Sequence, residues 1–205
     1  MASVGITLQQ FKQMQERVGG GARRAALPVF ESAVHPLNRH PIIFGVDPSL
    51  RGTGFGVIRL GKPHPVALAH GTISCPATWP HSRCLVKIAQ TLREVLREHR
   101  PTVCVVEGLF FAQNLQTAIL MGEARGAAMM IVAEADLDIY EIATRKVKQA
   151  VVGYGAAQKP AVAKMVQRLL NLARPPEPDA ADALALALAH AQANGRYRLT
   201  APKKI

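Results

Sequence analysis

A chain of 205 residues, 49% of them hydrophobic, is long enough to bury one substantial core, which points to a single catalytic domain with appendages. Lysine and arginine number 25 against 14 acids, giving a formal charge of +11 and a pI near 10.1, so a polyanionic partner is expected, nucleic acid first. No apolar run approaches the roughly 18 residues of a spanning helix. Cys75, Cys84 and Cys104 form no CxxC pair and indicate neither a disulfide framework nor a cysteine zinc site, so a protein of the reducing cytoplasm is expected.

Residues 1–40 read as a flexible N-terminal extension. A short helix suits residues 9–18, but Gly19, Gly20 and Gly21, then Pro28 and Pro36, interrupt any continuation. The folded core is expected over residues 41–195 and a solvated basic tail over residues 196–205.

Ile42 to Val46 is an apolar run of the length of a strand buried on both faces, and it ends on Asp47. Gly52, Thr53 and Gly54 turn the chain into a second strand over 55–60, and 66–74 supplies a third, an antiparallel meander. Residues 81–99 place Leu85, Ile88, Ala89, Leu92 and Leu96 at helical spacing and stop before Pro101. Val103 to Val106 repeats the buried-strand pattern and ends on Glu107, so two parallel strands would bring Asp47 and Glu107 side by side. A long helix over 114–135, a strand over 137–142, and helices over 144–152, 160–170 and 179–193 complete the order βββαβαβααα, with Thr144 as an N-cap.

Asp179 and Asp182 stand three apart at the start of the last helix, on one face, where the helix dipole favours negative charge. The rest of that segment, through Ala189, is uncharged, so the helix is buried and its acids are aimed at something specific. Four of 14 acids thus stand at ends of buried elements, where unpaired carboxylates are costly. A hard divalent cation, Mg²⁺ or Mn²⁺, compensates them. A pair of such ions can activate water for in-line attack on a phosphodiester, with Asp47 bridging and Glu107, Asp179 and Asp182 completing the shells. Taken singly, Asp179 is equally well a helix cap and Asp47 a turn residue; the four together point to function.

The segments GVDPSLRGTGFGVI, VVEGLFFAQN, TRKVKQAVVGYG and PDAADALALALAHA resemble the RuvC family of bacterial Holliday-junction resolvases, over residues 42–193 and in the family's order. The resemblance implies an α/β, RNase H-like fold with a mixed five-stranded sheet flanked by helices. It also implies the metal-ligand role of Asp47, Glu107, Asp179 and Asp182, two Mg²⁺ ions per site, and a homodimer that nicks a four-way junction symmetrically with the RuvA and RuvB branch-migration proteins. Phe110 matches the family's aromatic near the branch point, where stacking on an unpaired base is its role. Lys148 and Lys159 match basic positions that face DNA, and Arg145 extends that surface, since residues 145–168 hold six basic residues and no acid. Arg51, beside Asp47, is a further candidate for phosphate contact. Gly122 and Gly126 allow close helix contact on the long helix, which the resemblance places in the dimer interface.

Gly52, Gly54 and Gly56 enter a strand and not a helix, which rules out a dinucleotide loop. An actin-like phosphotransferase would need more chain and a second phosphate loop. A non-catalytic junction-binding protein, and an RNase H-like nuclease for another nucleic acid, remain as alternatives at this stage.

Overall fold

The computed structural model describes residues 40–108, 115–193 and 202–205, together with residue 9. The elements below belong to the compact unit Pro36–Ile205; the other unit, Met1–His35, and with it the helix expected over residues 9–18, lies outside the described residues apart from Gln9.

Among the described residues eleven elements follow in order. Strands β1 (Ile42–Asp47), β2 (Gly52–Arg59) and β3 (Val66–Ser74) form the meander and lead into helix α1 (His81–His99). Strand β4 (Val103–Glu107), helix α2 (Leu115–Glu134) and strand β5 (Ile139–Ile142) come next. Helices α3 (Thr144–Val152), α4 (Lys159–Leu169) and α5 (Pro178–Ala193) precede a short β6 (Lys203–Lys204).

The strands lie in the order β3-β2-β1-β4-β5-β6. β1 runs antiparallel to β2 and parallel to β4, and β4 runs parallel to β5, so the sheet is mixed as expected. It has one strand more than expected. β6 pairs antiparallel with β5, Tyr140 opposite Lys204, and Lys204 Nζ lies 2.7 Å from Asp138 Oδ1. A tail expected to be solvated thus covers an edge strand whose backbone groups would otherwise seek partners.

Side chains on a strand alternate between faces, and the two cores divide along that rule. Phe44, Val46, Cys104 and Val106 pack with α1 and α2, whereas Ile43, Val103 and Val105 pack with α3, α4 and α5. By the same alternation Asp47 and Glu107 project to the α5 side. Glycine makes that side unusually close to its helix. A Cβ on Gly45 would lie 2.0 Å from the Ala183 carbonyl oxygen, and one on Gly54 2.0 Å from that of Asp179. The GTGFG segment is therefore a bed for α5, whose residues 183–189 are all buried.

Candidate active site

β1 and β4 are in register from Ile43 beside Val103 to Val46 beside Val106, so the next residues, Asp47 and Glu107, end the two strands side by side. Helix α5 crosses that end and delivers Asp182. An open pocket is lined there by Asp47, Glu107, Thr144, Lys148, Lys159 and Asp182, floored by Val147, Val162 and Leu186. Asp179 is not among its walls. Its Oδ2 lies 2.8 Å from where a Cβ on Gly52 would stand, at the start of β2, and its charge still reaches Asp47.

Among these acids Asp47 is the one whose carboxyl is displaced by burial and by its neighbours' charge. The Asp47 carboxyl is pushed up from 3.8 to about 7, first by burial, then by Glu107 and Asp182 and, most weakly, by Asp179, while Lys159 opposes the rise. Lys159 Nζ donates to Asp182 Oδ2 at 2.8 Å, and that bond holds the ammonium above its usual range against burial. The Lys159 side chain is 65% exposed, so solvent screens the pair and it adds little to stability. Its meaning is electrostatic: a cation already stands on the acid cluster.

The donor set fits a hard divalent ion, being carboxylate oxygen without thiolate or imidazole among the pocket walls. It is not a ready-made cage. Among the described residues no group of three or more His, Cys, Asp or Glu side chains could by itself hold an ion. Mg²⁺ suits that arrangement, since it usually keeps several waters and takes one or two carboxylates plus substrate phosphate oxygens.

Glu107 is the most elaborately held acid. Thr144 Oγ1 donates to its Oε1 at 2.5 Å, and Arg125 Nη1 donates to its main-chain carbonyl. Arg125, its side chain 9% exposed, also donates from Nη2 to Glu141 Oε2 at 2.6 Å. Sequence reasoning missed both residues. Thr144 reads as an N-cap, yet the N-cap is Ala143, without a side-chain cap bond, and the threonine hydroxyl turns to Glu107 instead. Arg125 left a signal in being one of two charges, with Glu123, in residues 115–133.

The basic candidates separate. Lys148 and Lys159 line the pocket. Arg145 is exposed and lies across Gly155, where a Cβ would meet its Cγ at 2.7 Å. Arg51 turns inward: its Nη1 donates to the carbonyls of Pro76 at 2.6 Å and Trp79 at 3.1 Å and contacts Cys84 Sγ at 3.2 Å, which ties down the loop before α1. That placement gives Nη1 a structural role in holding the loop. Phe110 lies outside the described residues.

A mixed sheet of this order, with acids at the ends of β1 and β4 and at the start of a crossing helix, defines an RNase H-like nuclease. The family model described as "Crossover junction endodeoxyribonuclease RuvC" matches residues 43–190. The RuvC of Protochlamydia amoebophila is 44% identical over 157 residues, 76% of this chain and 94% of that protein. The RuvC of Bordetella parapertussis is 46% identical over 149 residues, 73% of this chain and 82% of that one. Among solved structures, Thermus thermophilus RuvC in complex with a Holliday junction substrate superposes with a TM-score of 0.73 at 33% identity, covering 81% of this chain and 100% of that one. The chain belongs to the RuvC family of crossover junction endodeoxyribonucleases.

Proposed function

We propose that this protein resolves four-way DNA junctions by divalent-metal-dependent hydrolysis of a phosphodiester, in recombination and repair. The observation that carries this reading is the convergence of Asp47, Glu107 and Asp182 on one pocket beside Lys148 and Lys159. Family membership supplies the substrate class, and the Thermus relative's complex with a Holliday junction supports it.

In this reading Asp47, Glu107 and Asp182 hold the metal, and Asp179 joins from the rim. Mg²⁺, as a pair of ions, would polarise the scissile phosphate and lower the pKa of the attacking water. The residues of the chain do the rest. Burial and the neighbouring acids hold the Asp47 carboxyl raised, so a cation that binds there displaces its proton. Lys159 neutralises Asp182 in the meantime and, with Lys148, meets the phosphates as the substrate enters. Arg145 extends that basic edge, and Phe110 stacks at the branch point.

A homodimer belongs to the same reading. One face of α2 exposes Leu115, Ile119 and Met130, with Gly122 and Gly126 between them. Leaving aside the helix's own neighbouring backbone, no described residue has an atom within 4 Å of a Cβ built on either glycine, so the described residues leave that space open. A second copy crossing there would bury the stripe and set two active sites for paired cuts. Cooperation with RuvA and RuvB rests on the family resemblance alone. Three free, buried cysteines suit a reducing cytoplasm. Among the described residues no helix is long and apolar enough to cross a membrane.

The test is to map nicks on a synthetic four-way junction with Mg²⁺. Paired nicks at symmetric positions in strands of like polarity are expected. Cuts in linear duplex at the same rate, or single unpaired cuts, would move the assignment to another nucleic-acid substrate.

A further inference from the structure

Helix α3 begins at Thr144, the kind of residue that usually caps a helix, but the cap position is Ala143 and no side-chain cap bond is made there. The helix therefore forgoes a stabilising contact that its own sequence offers. The hydroxyl is committed to Glu107 Oε1 at 2.5 Å, inside the pocket that Thr144 itself helps to line. A carboxylate only accepts, so the hydroxyl proton lies between the two oxygens and Thr144 is the donor. Among the described residues no other hydrogen bond reaches the Glu107 carboxylate, which leaves Oε2 for another partner. Arg125 fixes the main chain of the same residue from α2, so the side-chain torsions are what remain to be set.

We infer that Thr144 is a positioning residue: its hydroxyl fixes the rotation of the Glu107 carboxylate so that the opposite oxygen is presented to a divalent cation. The inference rests on the metal reading of the site. Outer-shell hydrogen bonds of this kind orient ligating carboxylates, and their loss typically weakens metal binding.

The experiment titrates Mn²⁺ into the wild-type chain, Thr144→Val, Thr144→Ala and Thr144→Ser by calorimetry, alongside thermal unfolding and junction binding in EDTA. Thr144→Val and Thr144→Ala are expected to bind Mn²⁺ about 10- to 100-fold more weakly. Their unfolding midpoints and junction binding should stay near wild type, and Thr144→Ser should restore the affinity. Cleavage by Thr144→Val should recover at higher Mn²⁺, so that the midpoint in metal shifts while the plateau holds. Wild-type Mn²⁺ affinity in the hydroxyl-less variants, or an equal loss in Thr144→Ser, overturns the inference. Absence of Mn²⁺ binding by the wild-type chain overturns the metal reading itself, and the inference with it.

Discussion

Asp47 lies directly opposite Gly54 across the β1–β2 pair, and a Cβ on Gly54 would come within 2.0 Å of the Asp179 carbonyl oxygen. Two of the four acids are thus linked through a glycine that lets helix backbone touch strand backbone. Gly45 does the same one layer deeper, against Ala183. Gly45→Ala is expected to cost about 1–3 kcal/mol or more, because its obstacle is main chain and cannot rotate away. Gly54→Ala should cost a similar amount and also move Asp179. Chemical denaturation measures both, and an unchanged stability would contradict the packing.

The raised Asp47 carboxyl makes cation binding depend on pH. In the folded chain it keeps its proton up to about 7, against 3.8 when unperturbed, because of burial and then Glu107 and Asp182. Between those values the folded state binds more protons than the unfolded one, so this group's contribution to stability falls as pH rises through the window. A cation must displace that proton. Mn²⁺ affinity is therefore expected to rise roughly tenfold per pH unit up to about 7 and level off above it. A flat profile from pH 5.5 to 8, read by calorimetry, would contradict a raised Asp47 carboxyl that the cation must deprotonate.

Arg125 bridges Glu107 and Glu141 from the buried face of α2. Arg125→Met keeps the bulk and removes the donors, leaving a carbonyl and a carboxylate without their partner. A loss of about 1.5–3 kcal/mol is expected, the scale of hydrogen bonds to charged groups. Denaturant midpoints at constant slope measure it. Wild-type stability would mean that solvent replaces the guanidinium freely.

Lys148 and Arg51 should behave differently although both are basic and near Asp47. Lys148 lines the pocket, so Lys148→Ala should reduce the slope of log affinity against log salt for junction DNA by about 1. Arg51 has its Nη1 bound to two backbone carbonyls, so Arg51→Ala should leave that slope unchanged and lower stability. Equal slopes for wild type and Lys148→Ala would remove Lys148 from the phosphate-contacting set.

Much of this architecture is legible in the sequence, for identifiable reasons. Buried strands ending in acids announce themselves by contrast, as Val103 to Glu107 does, and the bounds of α1 and α3 follow from helical spacing with Pro101 and Gly153 as stops. Asp179 and Asp182 stand out because residues 183–189 around them are uncharged. What stays hidden depends on contacts between distant segments. The two-residue β6 has no pattern of its own and exists because β5 offers an edge. Arg51 reads as a loop cation until the loop over Pro76 and Trp79 folds back on it. Thr144 satisfies every local rule for a cap, and only the nearness of Glu107, 37 residues away in sequence, takes its hydroxyl elsewhere. The glycines of GTGFG signal a turn locally, whereas their use as a bed for α5 needs the helix in place.

The most direct test of the central claim is cleavage of a mobile four-way junction on a denaturing gel, beside matched linear duplex, by the wild-type chain and Asp47→Asn, with Mg²⁺ and with EDTA. Nicks confined to the junction, to Mg²⁺ and to wild type, with Asp47→Asn still binding the junction, are the expected result. A junction bound by the wild-type chain yet left intact in Mg²⁺ and Mn²⁺ across several cleavage sequences would contradict it, and would leave a protein that holds junctions without cutting them.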